Sequence, residues 1–187
     1  MGRGAAKLLA IPLAAGILAA AVALAAAGAG LAGSASPACA TTVTAGMEAA
    51  GVALGPVQVA NARIIYDVGV GLRLPPRAEI IAIATAMQES GLVNLPYGTG
   101  DSLGLFQQQP IDGWGTVAQV MDPVTSARAF YESLVRVPYW QTLPVTVAAQ
   151  AVQRSAFPGA YAQWQPVATT LVASFDGDVP AGLLAAC

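Results

Sequence analysis

Glu89 stands in MQESGLVNLPYGTGDSLGLFQQQP, residues 87–110, where one of the most apolar segments of the chain ends. Burial disfavours a charged carboxylate and raises its pKa. The C-terminal end of a helix carries partial negative charge and acts in the same direction. A carboxyl so placed keeps its proton near neutrality and can pass it to a leaving oxygen, which is general acid chemistry. The competing reading is a glutamate at a frayed helix end, facing water. Few other groups in the chain could do such work. There is no histidine, and the only lysine is Lys7. Ser-His and Cys-His nucleophile pairs are therefore excluded, as are an HExxH zinc site and a Walker lysine in the main domain. Two cysteines, Cys39 and Cys187, are too few and too far apart for a zinc cluster.

The elements that must hold Glu89 read as helices. Residues 41–56 (TTVTAGMEAAGVALGP) read as a linker or weak helix. From Val57, the residues Val57, Ala60, Ile64, Val68 and Leu72 recur at helical spacing. LPPRAEIIAIATAMQESG follows, with Pro75 and Pro76 at its start and Glu79 in its early turns. Ile80, Ile81, Ile83, Ala84 and Met87 make this helix apolar nearly all round, so it should be central and buried, with Gly91 as its stop. Residues 93–101 are irregular, and Ser102 to Gln109 is a short strand or turn. Asp122-Pro123 opens a helix with Ala127, Phe130, Tyr131 and Leu134 on one face. Val145 to Ser155 forms another, with Ala148, Ala151, Val152 and Ser155 on one stripe. The last helix carries Tyr161, Trp164, Ala168, Leu171, Val172 and Phe175, with Pro166 as a potential kink. The organisation expected is 1–40 leader or anchor, 41–56 linker, 57–175 main domain and 176–187 tail.

The first forty residues begin with Arg3 and Lys7, followed by an uncharged Ala/Leu-rich run from Leu8 to about Ser34. That length allows a transmembrane helix or a long signal peptide. The flanking basic residues put the N-terminus in the cytoplasm and the rest outside. Disulfides persist outside the membrane. Cys39 and Cys187 bracket the domain, so a bridge would tie its ends together; two unpaired thiols is the alternative. From residue 41 there are six arginines against ten acidic residues, a net charge of −4 with no basic stripe, which argues against nucleic acid as a partner.

Residues 87–110 resemble the signature of the lysozyme-like lytic transglycosylase superfamily. An E-S pair, Glu89-Ser90, closes a buried helix; a loop follows; Gly104-Leu105-Phe106-Gln107 then stands where the family has G-L-M-Q. AAQAVQRSAFPGAY, residues 148–161, is a counterpart of its later A-Y-N-A-G-type helix. The segment from about Ala60 to Val172 is similar to an actinobacterial branch, often membrane-tethered and associated with cell-wall remodelling or conjugation. The resemblance implies a mainly α, lysozyme-like α+β fold: a helical bundle around a central buried helix with a short strand or loop insertion. It implies peptidoglycan strands as substrate, Glu89 as the single catalytic acid and then base, a 1,6-anhydro product, and no metal or cofactor. It also implies export, with a membrane attachment through the N-terminal segment and a secretion or conjugation complex as a possible partner.

The remaining site residues each carry two readings. Asp101 is a second carboxylate that could activate water, as aspartates in a similar place do in goose-type lysozymes, or an Asx turn in Gly100-Asp101-Ser102. An activated water would make the reaction an inverting hydrolysis. Ser90 orients Glu89 or ends the helix. Gln107 bonds near the acid or to an acetamido group, or faces solvent. Gln153 stands where the family usually has Asn, after Val152 where it has Tyr. Tyr161 matches a downstream aromatic and is otherwise core. Trp114, in GWGT, and more weakly Tyr97, stack on a sugar face or pack. Three functions compete: a lytic transglycosylase, a muramidase cutting the same bond by hydrolysis, and a non-catalytic wall-binding or scaffold protein on a lysozyme-like frame.

Overall fold

The computed structural model describes residues 46–155 and 157–177. The leader or anchor, both cysteines and the last ten residues lie outside the described residues. Among the described residues no helix is long and apolar enough to cross a membrane.

Two short strands, β1 (Met47–Ala49) and β2 (Val52–Leu54), pair antiparallel with Met47 opposite Leu54 and Ala49 opposite Val52. Ala50 and Gly51 make the two-residue turn, both with positive φ (48° and 80°), which matches the twist of a tight hairpin. Ala49 and Leu54 are buried in the core. Residues 47–54 are thus a hairpin where a linker or weak helix was expected over 41–56; residues 41–45 lie outside the described residues.

Helix α1 (Pro56–Gly71) starts with proline in its first turn, where no N–H is needed. Its buried face is Val59, Ala62, Ile65, Tyr66, Val68 and Gly69. The expected stripe is therefore rotated: Val57 is exposed, and Ala60, Ile64 and Leu72 are only partly covered. The helix is apolar on several sides, so its long-range neighbours choose the face. Helix α2 (Pro76–Ser90) packs against α1, against α4 (Pro123–Leu134), against α5 (Val145–Gln153) and against α6 (Gln165–Gly177). Every residue from Ile81 to Met87 is buried, so the central position expected for this helix is observed. A five-residue helix, α3 (Val117–Met121), is capped at its start by Thr116 and precedes α4. Asp122 caps α4 by accepting from the Thr125 N–H (2.7 Å), and Ala127, Phe130, Tyr131 and Leu134 all face the core.

Two ends differ from the sequence reading. Helix α5 stops at Gln153, where Arg154 takes a left-handed conformation (φ 52°), so Ser155 lies outside it; Ala151 is exposed, and Ala149 takes its place in the core. Tyr161 precedes a 3₁₀ turn, Ala162–Trp164, rather than lying in the last helix. Pro166 is the second residue of α6, where its missing N–H breaks no helical bond, and the helix continues through Gly177 rather than yielding to a tail at 176.

Candidate active site

Glu89 occupies the last turn of α2. Gly91 (φ 62°) then reverses the chain, and the Leu92 N–H reaches back to the Ala86 carbonyl at 3.2 Å. Only a residue free of a Cβ takes that backbone without cost. Two side chains of α1 clamp the same corner. Gln58 donates to the Gly91 carbonyl and Asn61 to the Leu92 carbonyl, each at 2.8 Å. Two side chains tie the loop after α2, one from this corner and one from α5. The Ser90 hydroxyl donates to the Leu105 carbonyl (2.7 Å) and to Ala86 (3.1 Å). Gln153, at the end of α5, donates to the Phe106 carbonyl (2.7 Å). Phe106 itself stacks on Phe130 with ring centroids 4.8 Å apart.

Residues 92–109 form a tight, bridged loop and not a regular strand. Leu95 pairs with Gly104, and Leu103 pairs with Gln108. Gly104 (φ 77°) sits where a Cβ would come within 2.5 Å of the Val120 carbonyl oxygen, so the first residue of GLFQ must be glycine for the loop to close.

Tyr161 is fully buried and comes from the far side of the sequence to donate its hydroxyl to Glu89 Oε1 at 2.7 Å. Burial raises the Glu89 pKa above its ordinary value; bonds from Tyr161 and the Gln153 side chain pull the other way without cancelling it. Burial also raises the Tyr161 hydroxyl, which thus remains a proton donor to the carboxyl. Glu89 lines a cleft of about 1220 Å³ together with Gln107, Gln153 and Trp114. That exceeds the roughly 300–1,000 Å³ usual for a small-molecule pocket and suits an extended ligand.

The structure thus gathers four of the expected residues at one opening, with Tyr161 behind them. Trp114 lines the cleft and also packs on the core. The Gln107 side chain donates to the Tyr97 carbonyl (3.3 Å) and the Gly104 carbonyl (3.2 Å), so its amide nitrogen serves the loop. Besides Tyr161, three expected residues are not among the described residues lining the cleft. Ser90 spends its hydroxyl on the two carbonyls named above. Tyr97 is two-thirds exposed (67%), and its backbone carbonyl is what meets Gln107. Asp101 is exposed, and its Oδ2 accepts the Ile111 N–H (3.1 Å), a tie across the loop to the following 3₁₀ turn rather than an Asx turn, since the Leu103 N–H goes to the Gln108 carbonyl. The carboxylate that lines the cleft beside Glu89 is Asp112, in the 3₁₀ turn Pro110–Asp112. Asp112, Arg136, Arg154 and Phe157 were missed by sequence reasoning. Proximity of Asp112 to Trp114 in PIDGW was the one local signal. Among the described residues, no three His, Cys, Asp or Glu gather as a metal site.

No protein-family model matches the chain, and no curated protein does either.

Proposed function

We propose that this protein is an exported peptidoglycan lytic transglycosylase with a lysozyme-like fold, cleaving the β-1,4 bond between N-acetylmuramic acid and N-acetylglucosamine. The observation that carries the reading is Glu89: half-buried, kept above the ordinary carboxyl pKa by that burial, held by Tyr161 at 2.7 Å, and opening on an extended cleft. The protonated carboxyl gives its proton to the glycosidic oxygen as the bond from C1 of the muramic acid breaks. The acetamido group of the same sugar stabilises the charge that develops at C1. The Glu89 carboxylate then takes the proton of the C6 hydroxyl, whose oxygen bonds to C1. No water enters, and the product ends in a 1,6-anhydro ring.

Hydrolysis of the same bond is the second reading, and Asp112 favours it. It is a carboxylate on the same cleft that could activate water in an inverting reaction. The test is digestion of purified cell wall by wild type and Glu89→Gln, with mass analysis of the products. Anhydro ends from wild type and none from the variant support the transglycosylase; reducing ends point to the hydrolase. Glycan binding without cleavage by either protein would identify a wall-binding module instead.

A further inference from the structure

Arg136 lies in the turn that follows α4, with its N–H on the Ser133 carbonyl (3.2 Å), and Arg154 is the residue that closes α5. Both side chains are exposed, and both line the cleft that contains Glu89. Among the described residues the one ion pair is Arg63 with Asp67, and only Arg63 and Arg77 donate side-chain hydrogen bonds from arginine. The guanidinium groups of Arg136 and Arg154 are thus uncommitted on the cleft wall. The placement runs against the composition, since acidic residues outnumber arginines ten to six from residue 41 onward. The acidic residues lining the same cleft are Glu89, pushed toward its neutral form, and Asp112. A neutral sugar polymer has no use for two free cations there. A guanidinium matches a carboxylate with two parallel hydrogen bonds.

We propose that the α4–α5 wall of the cleft is a carboxylate-binding subsite, in which Arg136 and Arg154 hold acidic groups hanging from the glycan strand. The inference rests on the glycan-cleaving reading of the cleft and adds the residues that select its substrate: Arg136 and Arg154 favour carboxylate-bearing strands over neutral chitin-like chains. Two sources share that chemistry, the lactyl carboxylate of strands stripped of peptide and the carboxylates of intact peptide stems. Exposed pairs of this kind are individually weak and sensitive to salt, so the subsite contributes to binding and selection, not to bond breaking.

The test uses the full chain carrying Glu89→Gln, so that ligands bind uncut, with and without Arg136→Gln and Arg154→Gln together. Three probes are titrated: a neutral chito-oligosaccharide, peptide-stripped glycan strands, and strands with intact stems. The double substitution is expected to weaken binding of a carboxylate-bearing probe about five- to tenfold and to abolish its salt dependence, leaving the neutral oligosaccharide unaffected. Loss for peptide-stripped strands alone identifies the lactyl carboxylate, which is tied up as an amide where the stem is intact; loss for stem-bearing strands alone identifies the stem, and loss for both shows that the arginines hold either carboxylate. Replacing both arginines with lysine should restore part of the affinity. Unchanged binding of both strands, or an equal loss for the neutral probe, overturns the subsite while leaving the cleft reading in place. If the parent binds none of the three probes, the cleft reading falls and the subsite with it.

Discussion

Helix α2 carries a glutamate near each end, and the two are perturbed in the same direction by the same cause. Burial raises Glu79, in the early turns, to about 7, and burial also raises Glu89, in the last turn. Their surroundings differ. Glu79 is 1% exposed, walled in by α1 and by Tyr131 of α4, and its Oε2 has no hydrogen-bond partner among the described residues. Glu89 is partly exposed, held through Oε1 by Tyr161, and lines a cleft. A raised pKa therefore does not distinguish an active acid from a structural one on this helix. Access and a fixed partner do. Glu79 is raised but closed off from the cleft; Glu89 is raised and opens on it, which is what the proposed proton donor requires.

Exchanging the two carboxyls for amides should separate them most widely. Glu89→Gln is expected to lower the rate of wall lysis by on the order of 10²–10⁴-fold with the melting temperature preserved, whereas Glu79→Gln should leave lysis within about twofold. Loss of lysis in a folded Glu79→Gln protein would break the comparison.

The next largest effect is on stability. Glu79 binds its proton more tightly in the folded protein than in the unfolded chain, so between about 4.5 and about 7 the folded state holds more protons and stability falls as pH rises. The full difference is roughly 3 kcal/mol between acid and neutral pH, read by urea unfolding at several pH values. Glu79→Gln should flatten that slope, leaving the smaller contribution of the same sign from Glu89. The groups that face Glu79 are Tyr131 and, at longer range, Asp176. An unaltered slope in Glu79→Gln would assign the pH dependence elsewhere.

Two smaller effects concern the loop that shapes the opening. Gly104→Ala forces a side chain onto a left-handed backbone and against Val120, and should cost about 1–3 kcal/mol in thermal unfolding while reducing lysis. Ser90→Ala removes the tie from the helix end to Leu105 and should cost about 1 kcal/mol. Its KM for cell wall should not change, because the hydroxyl is spent on backbone; a raised KM at unaltered stability would return Ser90 to the substrate.

What could be read from the sequence followed how local each signal is. The central helix was legible because its apolar run, its prolines and Gly91 all lie within one segment, and Asp122-Pro123 marked α4 for the same reason. The hairpin at residues 47–54 was not, because the three-residue strands Met-Glu-Ala and Val-Ala-Leu carry too little alternation, and Glu and Ala do not favour strands. The buried face of α1 was misplaced because apolar residues lie on several sides of it, and tertiary partners decide. Within the site, Glu89, Gln107, Gln153 and Trp114 were found by residue type and motif. Tyr161 reads equally as core or as a site aromatic from sequence; its ring is buried, and its hydroxyl reaches Glu89. Asp112, Arg136 and Arg154 come to the cleft from loops and helix ends far apart in sequence, and no local pattern announces that meeting.

The most direct measurement is the pH at which the Glu89 side-chain carboxyl loses its proton, followed by carbon NMR in the full chain. Titration above the ordinary 4.5, coinciding with the alkaline decline of wall lysis, is the expected result. A carboxyl that titrates at or below 4.5 while lysis continues undiminished toward neutral pH would contradict Glu89 as the proton donor.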